Sequence, residues 1–151
     1  MSETLTIAPV VKSIRVACSV ELAFEVFTRE IGSWWPVATH SLAGERVREL
    51  VFEERAGGAV YEVAGDGEQG RWATVLEWEP PSRLVLSWEV VPARAATELE
   101  VRFSADGDST RVDLEHRHWE RLGEEGRSVR ERYESGWDVV LAPYTARLGR
   151  P

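Results

Sequence analysis

The sequence predicts an α+β fold in which a curved antiparallel sheet of about seven strands, with two short helices after the first strand, wraps around a long C-terminal helix. Three observations carry this expectation. Between residues 45 and 119, runs rich in β-branched and aromatic residues alternate with Gly, Pro and Asp turn clusters, the pattern of an antiparallel meander. Residues 125–148 return to helical period and form the only segment long enough to cover a sheet. The run 70–91 holds Trp72, Trp78 and Trp88 at same-parity positions around a Glu79-Pro80-Pro81-Ser82 turn. With a two-residue repeat, all three indoles share one face if no bulge intervenes, and that face needs a helix or a ligand over it.

The elements follow in chain order. Residues 4–17 alternate and read as the opening strand, with Pro9 demoting its first half to an edge or a bend. Ser19 is placed as an N-cap, with Val20, Ala23, Phe24 and Phe27 at helical spacing and an end near Arg29. Pro36 pushes Trp35 out of the helical region, so a second short helix or turn is expected at 30–34. Six strands are expected at about 45–54, 58–64, 70–79, 83–91, 96–104 and 110–119, with Pro92-Ala93-Arg94 among the turns. In the last segment Val129, Tyr133, Trp137, Val140, Leu141, Tyr144 and Leu148 form one stripe, and Pro143 is expected to bend the helix near Val139. A curved sheet gripping such a helix leaves a cavity wherever side chains do not fill the space between them.

Composition bounds the function. At 151 residues and 43% hydrophobic, the chain suits one globular domain over 1–151. A formal net charge of −8 argues against nucleic acid and anionic membrane as partners. Cys18 is the only cysteine, so no internal disulfide forms. The N-terminus lacks a basic stretch followed by an apolar one, and a cytoplasmic protein is expected.

Several stretches resemble the START-like (SRPBCC) superfamily with its helix-grip fold, and within it the branch of heat-shock-protein-90 ATPase activator homologues. They are Val20 to Thr28, Gly57-Gly58, Thr74 to Trp88, Asp108 to Val112 and the closing Gly136-Trp137-Asp138-Val139-Val140-Leu141. The ordered set, not any single motif, is specific, and it covers nearly the whole chain. The resemblance implies a cavity between sheet and helix. Relatives bind sterols, lipids, polyketides or plant hormones there, and a few catalyse cyclisation or dehydration.

On strand 110–119, His116 and His118 share parity with Val112 and Leu114, which points both toward the concave side. Trp35, Trp72, Trp88, Tyr133 and Trp137 complete the candidate ligand-binding set. Trp34 and Trp35 precede a loop, 36–44, that would lid one end of the cavity. Glu77, Glu79 and Glu89 have the opposite parity to the indoles and are placed on the convex face. No nucleophile motif, phosphate-cradling loop or metalloprotease motif is present, and a histidine pair without a third ligand does not make a metal site. No catalytic residue, cofactor or metal is assigned.

The leading expectation is therefore a cytoplasmic binder of a hydrophobic or aromatic small molecule. In it, apolar burial supplies affinity, while His116, His118 and indole N–H groups orient the ligand. One rival is a cyclase or hydrolase using a cavity histidine as acid or base. The other is a chaperone partner or protein-interaction module using an exposed Trp34-Trp35 patch. A homodimer stays open.

Overall fold

The computed structural model describes residues 6–90 and 95–151. The expected Pro92-Ala93-Arg94 turn and the last residue of the expected strand 83–91 lie outside them, as does the start of the expected strand 4–17.

Seven strands form one antiparallel sheet: β1 (Val10–Val16), β2 (Val47–Phe52), β3 (Ala59–Ala64), β4 (Gln69–Glu79), β5 (Arg83–Trp88), β6 (Thr97–Asp106) and β7 (Ser109–Arg117). Their spatial order is β1-β7-β6-β5-β4-β3-β2. Helix α1 (Val20–Thr28) and a 3-10 turn (Ile31–Ser33) follow β1, and helix α2 (Gly126–Leu148) closes the chain. This is the predicted helix-grip architecture. Two further 3-10 turns, Gly44–Arg46 and Trp119–Glu125, were not expected.

Local chemistry explains the boundaries. Ser19 caps α1, its Oγ accepting from the Leu22 N–H at 3.2 Å. The Glu79 carbonyl accepts from the Ser82 N–H at 2.9 Å and closes the turn between β4 and β5, whose Pro80-Pro81 bond is cis. Helix α2 runs on through Pro143. Pro143 offers no N–H to the Val139 carbonyl, and Val139 lies on the exposed side of the helix.

The sheet curls because single extra residues are inserted in its strands. Arg48 bulges out of β2, and Trp72 and Leu76 bulge out of β4. Each bulge bends its strand and flips the alternation beyond it. The two in β4 cancel, which is why Trp72 and Trp78 both face inward despite the interruptions.

The core fills the concave side. Trp137, Val140, Leu141 and Tyr144 of α2 are buried against the sheet, as are Phe24 and Phe27 of α1. Tyr144 Oη donates to the Ala23 carbonyl at 2.7 Å and joins the two helices. Each buried indole removes on the order of 200 Å² from water, about 5 kcal/mol by area, so the aromatic stripe is what holds α2 in the grip.

Candidate functional site

Between the sheet and α2, the described residues line two voids walled by aromatic side chains. The first, about 320 Å³, is walled by Trp35, Trp72, Trp88, Trp137 and Val140, with Gly136 and Tyr133 on the helix side. His40, Ser41 and Leu42 close one end, so the loop 36–44 does line the cavity. The second, about 350 Å³, is lined by Trp88, Thr97, Trp119, Leu122, Val129 and Tyr133, among others. Trp88, Val90, Arg132 and Tyr133 border both. Trp88 Nε1 donates to Tyr133 Oη at 3.0 Å, and this one bond spans the wall between them.

The indoles pack as a continuous cluster. Trp35 lies 4.9 Å from Trp72, 5.9 Å from Trp137 and 6.3 Å from Trp88, centroid to centroid. Their N–H groups, however, do not reach into the voids. Trp35 donates to the His40 carbonyl at 2.7 Å, Trp72 to Glu62 Oε1 at 2.7 Å and Trp119 to the His116 carbonyl at 2.8 Å. Trp137 donates to His116 Nδ1 at 3.1 Å. The expectation that indole N–H groups orient a ligand is corrected: each of these is already spent inside the protein, and the walls present their apolar faces.

The two histidines part company. His116 is fully buried and lines neither void. An indole N–H only donates, so Nδ1 must accept from Trp137, and the neutral ring carries its proton on Nε2. Nε2 then donates to Thr97 Oγ1 at 2.8 Å. Burial lowers the His116 pKa to about 3, so the ring stays neutral. With both nitrogens engaged, it holds Trp137 and Thr97 in place.

His118 departs from its expected position. The strand ends at Arg117, and His118 adopts a left-handed backbone, φ 74°, which breaks the alternation. Its ring sits 3.6 Å from Glu98 and 3.4 Å from Glu120, beside the charged outer face. It does not line either void.

The Trp34-Trp35 patch is likewise corrected. Trp34 is 5% exposed and Trp35 8%, because the turn after α1 folds both into the core. Trp34 Nε1 donates to the Val26 carbonyl at 2.8 Å. The interaction-module reading loses the surface it relied on. Glu77 and Glu79 do take the convex face, bonded to Arg83, and Glu89 pairs with Arg71 and Thr74.

One residue escaped the sequence reading. Glu62 on β3 is 2% exposed. Its Oε1 accepts from the Leu42 N–H and Trp72 Nε1, and its Oε2 from the Ala43 N–H, each at 2.7 Å. It pins the loop over the first void and fixes the Trp72 ring. The available signal was its parity with Val60 and Ala64, which marks it as an inward-facing acid. Gly70 makes room for this contact: a Cβ there would meet Leu42 Cδ1 at 2.8 Å and Glu62 Cγ at 3.2 Å. Among the described residues, no group of three or more His, Cys, Asp or Glu is placed to hold a metal ion. No helix among them is long and apolar enough to cross a membrane.

Sheet, gripped helix and aromatic voids together define a START-like domain of the helix-grip type. A family model described as "Activator of Hsp90 ATPase homolog 1-like protein" matches residues 17–148, and the chain belongs to that family. Solved relatives include an anthrahydroquino-gamma-pyrone synthase, 35% identical, covering 93% of this chain and 96% of its own, with a TM-score of 0.63. Another is CalC from Micromonospora echinospora, described as a self-sacrificing resistance protein, 28% identical over 93% of this chain and 94% of its own, with a TM-score of 0.71. No functionally curated protein matches the sequence.

Proposed function

We propose that this chain, as one domain over residues 1–151 in the cytoplasm, binds a hydrophobic aromatic small molecule in the first void, between the sheet and α2. The observation that carries the reading is Gly136. A glycine inside a helix costs about 1 kcal/mol against alanine. Packing does not require it, since a Cβ built there would meet nothing within 4 Å. Gly136 borders the first void, and a side chain there would fill space that is otherwise kept open. A void of about 320 Å³ with indole walls suits a flat ring system held by apolar contact.

Calorimetric titration with a tricyclic aromatic sulfonate tests this. The wild type gives saturable heat. Gly136→Leu abolishes it, while the melting temperature is kept or raised. Unchanged binding by Gly136→Leu overturns the reading.

The 35% identity to a synthase over 93% of this chain favours a second reading, in which the bound molecule is closed into a further ring. His116 is a poor candidate for proton transfer there, since both its nitrogens are engaged. Chromatography of the compound released from freshly purified protein, before and after incubation, separates the two: a product of changed retention, at the same mass for simple ring closure or lighter by water for a dehydrative one, supports turnover, and an unchanged compound supports binding.

A further inference from the structure

The second void has a polar lining of one kind only. Among the described residues, its polar side chains besides the Trp88 and Trp119 indoles are Thr97, Tyr133 and Arg132. Thr97 is 4% exposed, and its Oγ1 accepts the His116 Nε2 proton at 2.8 Å. Tyr133 Oη accepts the Trp88 Nε1 proton at 3.0 Å. In each case an internal donor takes an oxygen lone pair and leaves the hydroxyl's own proton to give. Neither proton has an acceptor among the described residues. The direction of the Thr97 bond is not free to reverse, because the Trp137 indole fixes the His116 tautomer. Burial holds the Tyr133 hydroxyl above its ordinary pKa, outweighing the Trp88 bond, so it keeps its proton. Arg132 only donates, and no acidic side chain among the described residues lines this void.

We propose that the second void is a carbonyl-recognition subsite continuing the first past their shared Trp88 and Tyr133, in which the Thr97 and Tyr133 hydroxyls donate to the oxygens of an aromatic ketone or quinone whose rings lie against Trp88. The inference rests on the binding function proposed above and names the chemistry of its ligand. A ligand that offers donors at these points would leave buried protons facing one another, whereas an acceptor satisfies both hydroxyls. His116 acts here as a positioning residue, since it sets the direction of the Thr97 bond without lining the void.

The test compares anthraquinone sulfonate with anthracene sulfonate by calorimetry. The two share a ring skeleton and an anion for Arg132, and differ in the carbonyl oxygens. The wild type is expected to bind the quinone about 10-fold more tightly, the size of one or two neutral hydrogen bonds. Thr97→Val and Tyr133→Phe each reduce that ratio several-fold, and Thr97→Ser restores it. Since Thr97→Val also strands the His116 N–H, Tyr133→Phe and Thr97→Ser carry the test if that variant does not fold. Equal affinity for the two compounds in the wild type overturns the subsite while leaving the binding function standing. Failure to bind either compound overturns both. A ratio unchanged in Tyr133→Phe, and in Thr97→Val where that variant folds, also overturns it.

Discussion

The two faces of the sheet handle polar groups in opposite ways. On the convex face, charges meet in ladders open to water. Arg83 reaches Glu77, Glu79 and Glu100, and Arg117 reaches Glu98, Glu100 and Glu115, at 2.6–3.2 Å. Burial alone would push the Glu100 carboxyl up, but Arg117 and Arg83 hold it below the usual carboxylate range. On the concave face, buried polar groups meet a few specific internal partners, and single members such as Glu62 and His116 serve several neighbours at once. Redundant, hydrated charge pairs are individually worth little. A dry and non-redundant hydrogen bond is expensive to lose. The difference predicts which substitutions the fold notices.

The largest expected effect is at Glu62. Glu62→Gln replaces a buried anion that accepts three hydrogen bonds with an amide that turns a donor toward donors. Urea unfolding should show a loss of about 3 kcal/mol. A loss under about 0.5 kcal/mol would mean that the concave network is as redundant as the convex one.

Next is acid sensitivity through His116. Its folded pKa of about 3 lies below the ordinary value of 6.5. The unfolded chain therefore takes up a proton as the pH falls below about 6.5, while the native ring refuses one until about 3. Stability from this group is complete above pH 6.5 and is lost progressively between those limits. It amounts to about 3 kcal/mol by pH 4. Unfolding measured at pH 7 and pH 4 should show this loss in the wild type, and a difference smaller by about that amount in His116→Gln.

The smallest effect sharpens the comparison from the other side. His118→Ala removes a half-exposed ring paired with Glu98 and Glu120. It should change stability by less than about 0.5 kcal/mol and leave ligand affinity intact. A marked fall in affinity would return His118 to the cavity.

How far the sequence could be read follows from the same contrast. The succession of elements along the chain, the amphipathic stripe of α2 and the Ser19 cap were legible because each depends on local period or local chemistry. Trp35, Trp72, Trp88, Tyr133 and Trp137 all border the first void, and the position of four of them was legible from local period, Trp72 and Trp88 from strand parity and Tyr133 and Trp137 from the helix stripe. His118 was misplaced because one left-handed residue ends the alternation, and no composition signal announces it. Glu62 was missed because its partners, Leu42, Ala43 and Trp72, come together only when the sheet curls. Hydroxyl direction was beyond reach, since it is set by a chain of three bonds from Trp137 through His116 to Thr97.

The closeness of the indole rings has an optical consequence. Chromophores about 5–6 Å apart, as Trp34, Trp35, Trp72, Trp88 and Trp137 are, do not absorb and emit as separate residues. Excitation passes between them before light leaves, so the protein glows as a collective. A guest seated against any one ring dims or shifts the whole signal, and the native chain carries its own reporter of occupancy.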